Sequence, residues 1–131
     1  MKGRRTAAIL STAVALVSCA APEQPLLERF FAASRLRDKV ALQAFSTVIF
    51  EPRELGIVRT FAIAGVTPER GSGSTITKDV TVTAPVVAPD GRTAEHSLVV
   101  TLQRTDPQQT GYTWMIVAVR DSTGSRSAPH W

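Results

Sequence analysis

Few side chains in this 131-residue sequence are reactive, and two of them are nearly alone in their kind. Cys19 is the only cysteine. Its thiol has no second cysteine to close an intramolecular disulfide with, and a thiolate is the most nucleophilic side chain available for alkylation. His96 is one of two histidines, the other being His130, 34 residues further on. That spacing, with no CxxC or HExxH run, supplies no metal-ligand set, so neither a metal nor a cofactor is expected. His96 is then the weak catalytic candidate, since an imidazole titrates near neutral pH as acid–base work requires. It needs a carboxylate partner. Asp79 falls on the opposite face of its own strand, Asp121 stands at the end of the last strand, and neither compels. The plainer expectation is a structural His96, partly buried near a strand start. The run Gly71-Ser-Gly-Ser-Thr75 has glycines and hydroxyls but lacks the lysine and the strand–loop–helix setting of a phosphate cradle.

What precedes Cys19 explains the thiol. Lys2, Arg4 and Arg5 form a basic start, and residues 6–18 carry no charge. The apolar stretch Ala7 to Val17 is 11 residues long, whereas crossing a bilayer takes about 20. Residues 1–18 therefore read as a signal peptide, with no amphipathic face or cap to suggest a buried helix. Leu16-Val17-Ser18-Cys19 resembles the lipobox of bacterial lipoprotein precursors. The resemblance implies a diacylglyceryl group on the Cys19 sulfur and cleavage before it. It also implies anchoring by two or three acyl chains, at about 0.8 kcal/mol per buried CH₂. An ordinary signal peptide with a cysteine near its cleavage site is the bland alternative. Ala20, rather than Asp, follows the cysteine, which in Gram-negative families is the outer-membrane pattern. The implied location is the cell envelope, with the membrane as the first partner.

Removing residues 1–18 leaves twelve basic and eleven acidic side chains. The formal charge of +4 thus falls to +1, and no basic stripe interleaved with aromatics remains. Nucleic acid is not an expected partner. Arginine outnumbers lysine 12 to 3.

The elements that must position these residues follow from periodicity. Residues 19–24 are a short lipidated tether, residues 25–121 a single domain, and residues 122–131 a polar tail. Pro25 suits the first turn of a helix. Leu26, Leu27, Phe30 and Phe31 form its apolar face. Continuing that face from Leu27 and Phe31 leads to Arg35 and Asp38, so the helix is expected to break near Arg37. Asp38 then caps a second helix carrying Val40, Leu42 and Phe45. Thr47 to Phe50 reads as extended, and Pro52 stops any helix. From Leu55 the period becomes two. Residues 57–66 read as a strand with Ile57, Phe61 and Ile63 on one face, interrupted by Arg59. The second strand, 76–87, places Ile76, Lys78, Val80, Val82, Ala84 and Val86 on one side. The third, 93–105, does so with Ala94, His96, Leu98, Val100 and Leu102. The last, 112–120, is so continuously apolar that it reads as a central strand. Tyr112 and Trp114 are expected to fill the core, with lining a ligand site as the alternative.

Two helices followed by four turn-linked strands imply an α+β fold: two N-terminal helices packed on one face of a four-stranded antiparallel sheet, cone-like. This order, with "FFAASRLRDKVALQAF" at its head, resembles the nuclear transport factor 2-like superfamily over residues 25–121. That superfamily hosts enzymes and noncatalytic binding modules alike. Two functions follow as expectations. One is a lipid-anchored, noncatalytic envelope module that binds a protein partner or a small apolar ligand near the membrane. The other is a small periplasmic enzyme using His96 as acid or base in a pocket.

Overall fold

In a computed structural model, residues 22–50 and 55–122 are described. The signal segment, Cys19, Pro52, His130 and the tail beyond Ser122 lie outside the described residues.

Helix α1 spans Gln24–Leu36 and starts with Pro25 in its first turn, where the missing N–H would have no intrahelical partner. It buries Leu26, Leu27, Phe30, Phe31, Ala33 and Ser34. The break falls where the charged residues interrupt that face. Arg37 adopts a left-handed conformation with φ 55°, and the N–H groups of Arg37 and Asp38 close on Ser34 and Ala33. Asp38 then accepts a hydrogen bond from the Ala41 N–H at 3.1 Å and caps α2, Lys39–Phe45. Leu42 and Phe45 of α2 face the core. Val40 does not: it is 81% exposed, because a two-turn helix shows the core only one narrow stripe.

The strands are β1 (Ile57–Val58), β2 (Ala62–Val66), β3 (Thr77–Val87), β4 (Thr93–Arg104) and β5 (Trp114–Asp121). All pairings between them are antiparallel, in the order β1-β3-β4-β5, with β2 also on β3. The strand expected over 57–66 is thus two short pieces on one edge of β3. β1 pairs with Val86 and Val87, and β2 with residues 80–83. The break falls opposite Ala84 and Pro85, and a proline has no N–H to offer a neighbouring strand. The face also differs from expectation, since Val58 is buried and Ile57 only half-buried, while Phe61 and Ile63 pack partly on the core. Gly56 turns the chain into β1 at φ +91°, and a Cβ there would lie 2.6 Å from Val86 Cγ1.

β3 and β4 follow their alternation. Lys78, Val80, Val82, Ala84 and Val86 are buried together with Leu98, Val100 and Leu102, while Ala94 at the start of β4 is exposed. β5 is an edge strand, not the central one. Its continuous apolar run has a different cause. A bulge at Val117 shifts the register between Thr101↔Ala118 and Leu102↔Ile116. The extra residue reverses the alternation, so Ile116 and Val119, three apart, both turn inward. The outer side of β5 receives the extended segment after α2 through a parallel bridge, Ser46↔Ile116. A second bulge, between Ile63 and Gly65, bends β2. The sheet curls into a half-barrel with α1 and α2 against it. Phe30, Phe31 and Phe50 meet edge to face at the centre, with ring centroids 5.2–6.2 Å apart.

Candidate functional site

Three clusters of polar side chains survive inside or beside this core. The first is at the β4–β5 margin. The His96 Nδ1–H donates to Asp121 Oδ2 at 2.6 Å. The hairpin register produces this pair. Leu98 pairs directly with Asp121, so Asp121 sits diagonally across from His96 on the same, inward face. The Ser122 N–H and hydroxyl both close on the Ser97 carbonyl at 2.8 Å and fasten the end of β5 there. The His96 side chain is one-third exposed and that of Asp121 mostly buried. A carboxylate on Nδ1 fixes the orientation and the tautomer of an imidazole. Asp121 was legible as a candidate partner. The signal that selects it is the fold-back of two strands about residues 105–113, which needs the bulge to be read correctly.

Asp79 is on the outward face, as alternation indicates, and takes no part in this pair. Burial pulls its pKa up, but hydrogen bonds from Thr101 (2.7 Å) and Arg70 (3.1 Å), with the charges of Arg70 and Arg120, outweigh it. Its carboxyl is held below the ordinary value, which suits a strand-to-loop fastener rather than a base.

The second cluster is at the other end of β3. Lys78, 8% exposed, forms an ion pair with Glu23, 5% exposed. Its ammonium lies 4.2 Å from the centroid of the Trp114 ring, with the Arg104 guanidinium 5.2 Å from that same centroid. Glu23 spends its carboxylate on Lys78 and none of it on capping α1. Tyr112 packs nearby on Phe45 and accepts a hydrogen bond from Arg29 at 3.3 Å. Tyr112 and Trp114 are therefore half-buried margin residues, not interior ones.

The third is a groove of about 420 Å³ between α1 and the link joining β1 to β2. Glu28, Phe31, Arg35, Arg59, Thr60 and Phe61 line it. Phe31 and Phe61 make its apolar floor, with ring centroids 5.4 Å apart. Arg35 is steadied by donating to the Val58 carbonyl at 3.1 Å, and Glu28 accepts from Gln24 at 3.0 Å. Its volume falls in the range of small-ligand sites. His96 does not line this groove, so the residue read as a catalytic candidate and the concavity are separate features.

The glycine-rich loop uses its own hydroxyls. Ser72 and Thr75 cap a single 3₁₀ turn at Gly73–Thr75. Among the described residues no group of three or more His, Cys, Asp and Glu is placed to hold a metal, and no helix is long and apolar enough to cross a membrane. Protein-family models, curated proteins and solved structures yield no match to the chain.

Proposed function

We propose that the chain is a bacterial envelope lipoprotein, acylated at Cys19, whose folded part is a noncatalytic module that binds a ligand in the groove beside α1. The observation that carries the anchor is the sequence Leu16-Val17-Ser18-Cys19, in which the sole cysteine stands behind a basic start and an 11-residue apolar stretch. The groove supports the binding role, with Phe31 and Phe61 as its floor and the charged and polar side chains of Glu28, Arg35, Arg59 and Thr60 around it. The resemblance to the nuclear transport factor 2-like superfamily belongs to the same reading, supported by two helices on a curled antiparallel meander. With Ala20 after the cysteine, the outer membrane of a Gram-negative cell is the proposed destination.

Mass spectrometry of the protein from a bacterial host tests the anchor. The expected product begins at Cys19, carries a diacylglyceryl addition and fractionates with membranes, while Cys19→Ala stays unprocessed or soluble. A mature, unlipidated chain starting at Ala20 or Ala21 would overturn the reading.

The His96–Asp121 contact favours a second reading, a small periplasmic enzyme with His96 as acid or base. It meets half of what that chemistry needs: an oriented imidazole. The other half is a substrate cavity, and the groove beside α1 is not lined by His96.

A further inference from the structure

Two arginines break the apolar patterns of the segments that carry them. Arg35 stands one turn beyond Phe31, where the buried face of α1 would continue, and Arg59 interrupts the apolar alternation of residues 57–66. In the folded chain both side chains line the same groove. Departures from a local pattern that converge on one concavity mark a place where the sequence serves something besides folding.

We infer that this groove binds an amphipathic anion: a small apolar chain or ring system ending in a carboxylate or phosphate. The inference rests on the groove reading proposed above and names its ligand class. Phe31 and Phe61 supply apolar contact, and Arg35 and Arg59 supply the counter-charge. Arg35 is oriented by a neutral carbonyl, that of Val58, so its charge is not cancelled there. Arg59 is exposed and makes no hydrogen bond or ion pair among the described residues. Guanidinium groups match the planar oxygens of carboxylate and phosphate. Glu28 lies seven residues before Arg35, about 10 Å back along the helix at 1.5 Å per residue. It is engaged by Gln24 and disfavours a second negative charge at that end. The groove thus has a direction, with the anionic group of the ligand at the arginine end.

The test uses the full lipidated chain in nanodiscs, with empty nanodiscs as the blank. Titration calorimetry compares four soluble probes: 3-phenylpropanoate, 3-phenylpropyl phosphate, 3-phenylpropylammonium and 3-phenylpropanol. One or both anions should bind saturably, the better of the two showing which acid group the groove prefers, and the cation should not. Arg59→Glu should weaken the anion at least about tenfold, or roughly 1.4 kcal/mol, with an unchanged melting temperature, and Arg59→Lys should recover part of the loss. Equal binding of the ammonium or the alcohol would overturn the anion class while leaving groove binding intact. No binding by any probe, or no response to Arg59→Glu, would overturn the inference. The anchor on Cys19 stands or falls separately, by mass.

Discussion

At the scale of single residues, His96 carries the sharpest alternative. An imidazole with Asp121 on Nδ1 at 2.6 Å is arranged as a base would be, and also as a strand-end fastener would be. The proposed binding module requires the second. His96→Gln should then cost about 1–3 kcal/mol, the scale of a lost hydrogen bond to a charged group. Anion binding in the groove, measured by the same calorimetry, should not change. Loss of the cellular role with undiminished stability in urea would instead favour the enzyme. Legibility differed between residues here. Alternation alone assigned His96 to the inward face and Asp79 to the outward one, because a strand has period two. The partner of His96 depended on how far two strands slide past each other, which alternation does not report.

At the scale of elements, the ion pair of Lys78 and Glu23 fastens the start of α1 to β3. A lysine on an otherwise apolar strand face is tolerable only because a carboxylate meets it and Trp114 covers it. Removing one partner strands the other. Lys78→Met should destabilise by about 3–5 kcal/mol, and adding Glu23→Gln should restore much of that, since a neutral pair leaves no buried charge. Urea unfolding of the two single variants and the double variant checks this. A loss in the double variant equal to the sum of the two single losses would mean that the pair is not energetically coupled. The break at Arg37 and the cap at Asp38 were readable from charge on a helical face. The edge position of β5 was not. Its apolar run has the composition of a central strand, and only the bulge at Val117 shows how an edge strand turns Ile116 and Val119 inward together.

At the scale of the molecule, the ion pair sets how the domain would sit on its anchor. With Glu23 held against the sheet, only residues 20–22 separate it from Cys19, a reach of at most about 14 Å. The β4–β5 connection lies at this end, beside Thr77↔Gln103 and Arg104↔Trp114. The turn at 88–92 lies at the other end of the 11-residue β3, about 30 Å away at 3.3 Å per residue. Spin labels at Gln109→Cys and Asp90→Cys in the lipidated protein should therefore differ. The Gln109 label should feel paramagnetic lipid or membrane-bound relaxant strongly, and the Asp90 label weakly. The reverse order would show that the anchor does not orient the domain through Glu23.

Order and periodicity along the chain determined the α+β class, the helix break and the faces of β3 and β4, and carry the segment on which the proposed acylation of Cys19 rests. These are local properties: 3.6-residue and two-residue repeats, capping chemistry, and the order of residue types ahead of Cys19 on which the proposed processing rests. Tertiary structure alone decided the pairing of His96 with Asp121, the meeting of Lys78 with Glu23, and the convergence of Arg35 with Arg59. Each joins residues 24 to 55 positions apart. Their juxtaposition depends on strand register, two bulges and the docking of α1, which arise from packing over the whole core and leave no periodic trace in either partner's own segment.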